Sequence, residues 1–368
     1  MDFVDLFDRF GEGGTVALCG LGVGLVFGAL SQRSRFCMRA AVVESFRSGP
    51  GPKLAIWLLA FGAAIAATQA AISAGLLDVT DVRQLAARGS LSGAMVGGLM
   101  FGAGMVLARG CASRILILSA TGNLRALVTG LILTIVAQAS LRGILAPMRE
   151  WIAELWTVSG PSERDLSYVL QLSDHTPMVV GVVLFAVAVV LARYRGVGRW
   201  TIVGASGVGL TITLAWLVNY NLAAQAFSPV AVKSISFIGP SADTLMGLIN
   251  KPSLPLVFDL GLVPGVFAGS FLASLAGRDF KFQCFSIEQN PMPRYVIGAV
   301  LMGFGGMLAG GCAVGAVMSG GSVFSITGWV AAASMFVGGA VTDWAIDQRR
   351  AASADSVNIP VGPSVSMR

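Results

Sequence analysis

A chain of 368 residues that is 55% hydrophobic and 12% charged, with a mean hydropathy of +0.77, cannot cover a water-exposed surface; soluble domains carry roughly 25% charged residues. In such a chain the net charge of +6 fits loops facing anionic lipid rather than contact with nucleic acid. The five cysteines (Cys19, Cys37, Cys111, Cys284 and Cys312) form no CxxC pair, and the one histidine, His175, lies far from them, which argues against a metal site, a haem or a disulfide framework. No cofactor is expected.

The opening, MDFVDLFDRFGEGG, is acidic and lacks the basic region of a cleaved leader. Nine stretches are long and apolar enough to cross a bilayer: 14–30, 54–76, 91–108, 123–143, 177–193, 201–218, 256–276, 293–309 and 324–343. An odd number places the two termini on opposite sides. With the N-terminus outside, most Lys and Arg fall in the inner loops, among them Arg33, Arg35, Arg39, Arg47 and Lys53. Segment 144–174 holds an amphipathic stretch, Met148 to Trp156, either an interfacial helix or an external loop. Segment 219–255, with four prolines, reads as irregular structure over the outer face. The tail 351–368 reads as disordered, and His175 as an outer-loop residue.

Short apolar pieces follow Cys37, Cys111, Cys284 and Cys312. Each has the size of a re-entrant half-helix, which membrane depth tolerates only when buried in protein or lining a cavity. The expected fold is therefore an all-α integral membrane protein with about nine spans plus re-entrant half-helices.

A repeat organises it. GGLMFGAGMVLARGCA at 97–112 returns as GAVLMGFGGMLAGGCA at 298–313, with eight identities in sixteen gapless positions. Five spans lie between the two motifs, so they enter from opposite faces in an inverted, hourglass-like arrangement. This suggests one transport domain over 1–350, with halves at about 14–143 and 256–343 joined by helices at 177–218. A weaker pair, SQRSRFCMR at Cys37 and GRDFKFQCF at Cys284, is six spans apart and breaks that parity.

The motifs favour an anion. Gly110 and Gly311 let the backbone turn close to a ligand, and Cys111 and Cys312 then stand at helix N-termini, where free N–H groups attract negative charge. Arg39 and Arg109 either add to that attraction or mark cytoplasmic loops. A thiol is a weak, polarizable donor suited to a soft, sulfur-bearing anion. Cys19 reads as a small hydrophobe.

Arg-Phe-Cys-Met-Arg at 35–39, Gly-Cys-Ala-Ser at 110–113 and Gly-Gly-Cys-Ala-Val-Gly at 310–315 resemble the YeeE/YedE family of sulfur-compound transporters. The resemblance implies a bacterial inner-membrane permease for thiosulfate, in which Cys37, Cys111, Cys312 and the less matched Cys284 relay the substrate. It also implies a TusA-like sulfur carrier as cytoplasmic partner. Other readings are passage of another sulfur or selenium anion, or a membrane-embedded sulfurtransferase. No nucleophile–base motif supports the enzyme, and no P-loop supports ATP as energy source.

Overall fold

The computed structural model describes residues 3–348 apart from 79–81, 83–84, 86–88, 160, 174, 228–229, 251–255 and 284–291. Cys284 and the tail 351–368 lie outside the described residues. Among the described residues nine helical stretches are long and apolar enough to cross a membrane, and the protein is a multi-pass, all-α membrane protein. The strands form one short antiparallel ribbon, Gly89–Ser90 against Thr157–Val158. We call the face where the chain starts the N face and the other the C face.

Helix α1 (Val4–Ser34) starts well before the expected span and bends at Gly11, whose φ of 70° leaves the helical region. It breaks at Cys37, and α2 (Met38–Ser48) continues from there. Then come α3 (Pro52–Ser73) and α4 (Leu91–Leu107). The latter breaks at Cys111 and resumes as α5 (Ala112–Ala120), before α6 (Leu124–Arg142) returns.

Helix α7 (Ala146–Glu154) follows. It has no buried residue and leaves Trp151, Leu155 and Trp156 exposed beside it, as an interfacial helix does. Arg149 Nε donates to the Ser140 carbonyl at 2.8 Å and Ser92 Oγ to that of Ile152 at 2.7 Å, which ties α7 to the ends of α6 and α4. Helix α8 (Thr176–Tyr194) packs on α3 and turns Val179, Val183, Val187 and Val190 outward.

Then α9 (Arg199–Gln225), α10 (Ile238–Asn250), α11 (Phe258–Ala276), α12 (Met292–Leu308), α13 (Ala313–Ser319, wound as a π-helix and continued through Gly320–Ser322) and α14 (Ile326–Thr342) complete the chain. Segment 219–255 is thus less irregular than expected: α9 runs on through its first residues, and α10 occupies its second half. Pro240 sits in the first turn of α10, where proline disturbs no helical hydrogen bond.

The order long helix, short helix, span, broken span, span occurs twice, as α1–α6 and α9–α14. The contacts repeat with it: α1 packs on α11 as α9 packs on α3, and α4 packs on α14 as α12 packs on α6. At the centre α4 and α12 cross antiparallel, backbone on backbone. A Cβ added to Gly97 would lie 2.5 Å from the Gly305 carbonyl oxygen, and one added to Gly298 would lie 2.8 Å from that of Gly104. Small residues are what allow membrane helices this approach. The glycines of the repeated motif are therefore its crossing surface, and the breaks that follow them hang from one shared crossing.

Candidate functional site

The break before each cysteine is built the same way. The helix ends on a residue with positive φ: Arg35 (54°), Arg109 (56°) and Gly310 (79°). The next residue closes the turn by donating its N–H five residues back, Phe36 to Ser31 at 3.3 Å, Gly110 to Met105 at 3.0 Å and Gly311 to Gly306 at 2.8 Å. This is the Schellman arrangement, which satisfies the last carbonyls of a helix. The cysteine then caps the new helix, and Cys111 (φ −79°, ψ 168°) and Cys312 (φ −80°, ψ −177°) match closely. The free N–H groups of the new helix lie beside the thiol. Gly315 N–H donates to Cys312 Sγ at 3.4 Å.

A fourth such corner ends α11 at Arg278 (φ 55°), with Asp279 N–H donating to the Ser274 carbonyl at 2.8 Å. Two residues on stands Phe280, where the other corners carry cysteine. Ser31-x-x-x-Arg35 thus aligns with Ser274-x-x-x-Arg278, and the likeness around Cys284 puts a phenylalanine at the cysteine position. The counterpart of α2 in the order of elements is α10, two hundred residues later, and it opens at Ile238 without a cysteine.

The breaks bring Cys37 and Cys111 close to one another. Ser113 Oγ lies 3.4 Å from Cys111 Sγ. Arg39 stands near Cys37, and Arg114 beside both thiols, its Nη1 donating to Gln32 Oε1 at 3.3 Å. Arg109 is exposed, so it shapes the corner through its backbone while Arg114 brings the charge. A cation inside a predicted half-helix was the available signal for Arg114, since charge at membrane depth is costly and marks a pathway. Cys312 sits at the other break. All three thiols are nearly closed off, with residue exposures of 9% for Cys37 and 1% for Cys111 and Cys312. Cys19 is half-buried within α1, away from any break.

Two cavities approach these thiols from opposite faces. The C-face cavity, about 310 Å³, is lined by Gln32, Arg35, Arg114, Arg278, Asp279 and Lys281. The N-face cavity, about 320 Å³, reaches Gly310, Gly311 and Gly315 at the mouth of α13, and Arg149, Arg164 and Lys233 line it. Lys233 is ion-paired with Asp259. Burial pulls the Arg164 guanidinium down to about 10, so it stays charged at neutral pH. Sequence reading gave no sign of Arg164, because it lies in a connector without periodicity. The described residues include no cluster of His, Cys, Asp and Glu able to hold a metal ion. Basic walls, helix N-termini and neutral donors together suit a small anion.

The family described as Sulphur transport matches residues 33–341. The chain is 26% identical over 366 residues to the thiosulfate transporter TsuA of Escherichia coli K12, covering 90% of this chain and 95% of that protein. It is 25% identical over 346 residues to the thiosulfate transporter TsuA of Spirochaeta thermophila, covering 90% and 99%.

Proposed function

This chain belongs to the sulphur transport family, and we propose that it is an inner-membrane permease bringing thiosulfate into the bacterial cytoplasm. Two relatives that carry the name thiosulfate transporter support the substrate. The observation that carries the mechanism is the placement of Cys312 at one broken helix and of Cys37 with Cys111 at two others, between cavities on opposite faces. Each thiol sits where helix N–H groups attract an anion, and a thiol donates weakly enough to let the anion go.

The chain works as two inverted halves, 4–142 and 199–342, with α7 and α8 joining them. The N face is outside, in keeping with the acidic N-terminus and the basic C-face loops. Thiosulfate enters the N-face cavity, passes Cys312, then Cys111 and Cys37, and leaves to a TusA-like carrier at the C face. Gly110 and Gly311 permit the close approach, and Arg39 adds attraction beside Cys37. Cys284 has no assigned step, because the corner it was matched to carries Phe280.

The test is uptake of radiolabelled thiosulfate into proteoliposomes. Wild type is expected to transport, and Cys37→Ser, Cys111→Ser and Cys312→Ser to lose most uptake. Normal uptake by all three variants would show the thiols to be packing residues. The proximity of Cys37 and Cys111 gives a sulfurtransferase reading its one foothold. A persulfide mass shift on either residue after exposure to substrate would favour it; intact uptake without the shift favours passage.

A further inference from the structure

The short helices that follow the two copies of the repeated motif differ in charge at one position. Arg114, three residues after Cys111, lines the C-face cavity; its counterpart three residues after Cys312 is Gly315. No side chain fits there, because a Cβ on Gly315 would overlap the hydroxyl of Ser236. The N-face mouth therefore lacks the arginine that its repeat mate owns.

A cation arrives from outside the repeat. The segment carrying Arg164 is strapped across the far end of α13: Asp165 bridges Ser325 antiparallel, and Leu166 N–H donates to the Phe324 carbonyl at 2.9 Å. The C-face cavity has the matching strap, with Asn123 bridged to Gln283 and Lys281 N–H donating to the Thr121 carbonyl at 3.3 Å. Arg164 is 5% exposed and faces the same cavity as Gly310, Gly311 and Gly315. Its Nη2 lies 3.5 Å from Thr327 Oγ1, and Gly89 makes room for it, since a Cβ there would stand 2.5 Å from Nε.

We propose that Arg164 is the anion-receiving residue of the N-face cavity, holding the sulfonate oxygens of the incoming dianion at the glycine-lined mouth of α13 as the stand-in for the arginine that Gly315 excludes. The inference rests on the transport reading above and deepens it. A planar guanidinium matches two oxygens of a tetrahedral oxyanion side by side. Thiosulfate gripped through its oxygens keeps its terminal sulfur free for the Cys312 thiol. Sulfate, with the same oxygens and no terminal sulfur, then competes at this site.

The test measures the concentration dependence of thiosulfate uptake by intact cells that lack any other uptake route, for wild type, Arg164→Gln, Arg164→Lys and the control Arg193→Gln at the exposed last turn of α8, each normalised to folded protein in the membrane. Loss of a charge-assisted contact predicts about a tenfold or larger rise in KM for Arg164→Gln with Vmax within about twofold, a smaller rise for Arg164→Lys, and no change for Arg193→Gln. External sulfate inhibits wild type and inhibits Arg164→Gln far less. If Arg164→Gln fails to fold, Arg164→Lys alone decides, and its KM must rise. An unchanged KM in a folded variant, or a Vmax loss at unchanged KM, overturns the proposal and leaves the permease reading standing. A wild type that takes up no thiosulfate overturns the permease reading and this one with it.

Discussion

Replacing Gly97 by alanine tests the crossing of α4 and α12. The added Cβ would lie 2.5 Å from both the Gly305 carbonyl oxygen and the Ala309 nitrogen, against the 3.4 Å at which ordinary contact begins. Both neighbours are backbone, so no side chain can swing away, and the helices must part by about 0.9 Å at that point. Overpacking of this kind costs about 1–3 kcal/mol. The repeat mate Gly298→Ala, whose Cβ would sit 2.6 Å from the Ala108 nitrogen, should cost a similar amount. The double variant should cost less than the sum, because the first substitution has already parted the helices. Gly22→Ala is the control: nothing lies within 4 Å of its Cβ, and alanine favours helix by up to about 1 kcal/mol. The assay is thermal unfolding of detergent-solubilised protein, followed by thiosulfate uptake, since Cys111 and Cys312 hang from this crossing. If Gly97→Ala melts with wild type and Gly22→Ala, the backbone contact does not hold the helices and the reasoning fails.

The C-face end of α14 carries a second test: Arg47 donates to both oxygens of Asp343 at 2.6 and 2.7 Å, and Asp343 is fully buried. Arg47→Ala strands that carboxylate at a cost of roughly 3 kcal/mol or less, because Arg47 itself is 41% exposed, and adding Asp343→Ala should recover more than half of the lost thermal stability. Gln69 Nε2 donates to the buried Ser322 carbonyl at 2.8 Å, so Gln69→Leu leaves that oxygen bare, and a fall in melting temperature worth about 1–3 kcal/mol is expected, with lowered uptake. Cys19→Ser should transport at the wild-type rate in the same vesicles. Mild oxidation should join Cys37 to Cys111, visible as a mass loss of two hydrogens, and block uptake until a reductant is added; Cys312, at the break of the other motif, should stay a free thiol.

The fold was legible wherever it rests on apolar length and on repetition. Nine stretches of sufficient hydropathy, and a Gly-rich motif ending in Cys twice at one spacing, give the spans, the breaks at Cys111 and Cys312 and their crossing. The short helix α10 stayed hidden because Gly239, Pro240 and Ser241 read as turn residues. The same three are ordinary in the first turn of a helix, where N–H groups need no helical partner. Cys284 lies outside the described residues, but the register of its match to Cys37 shifts for a related reason. A basic residue and a phenylalanine near a cysteine do not fix the corner; the left-handed residue two positions before it does, and at Arg278 that register falls on Phe280. Within the candidate site, Cys37, Cys111, Gly110, Gly311 and Cys312 carried their own signal, while the proximity of Cys37 and Cys111 depends on how α1 and α2 pack on α5 and α4 and leaves no trace in either motif.

Repetition also explains where the charge sits. In the first motif one residue type serves two ends: Arg109 spends its backbone on the left-handed corner and points its side chain out, while Arg114, five residues later, faces the thiols. In the second motif both positions are glycine, and the corner costs less strain because Gly310 adopts positive φ freely. Nothing in that motif then supplies a cation, and the N-face mouth depends on elements outside the repeat, the Arg164 strap and Lys233 ahead of α10. The two faces of the protein thus share a backbone plan but hold their positive charge differently. On the C face Arg114 belongs to the same short helix as the cysteine that caps it, so charge and thiol move together. On the N face they belong to separate elements joined by one backbone bridge, Asp165 to Ser325, so substitutions in the strap should change how the anion is received without touching the thiol that passes it on.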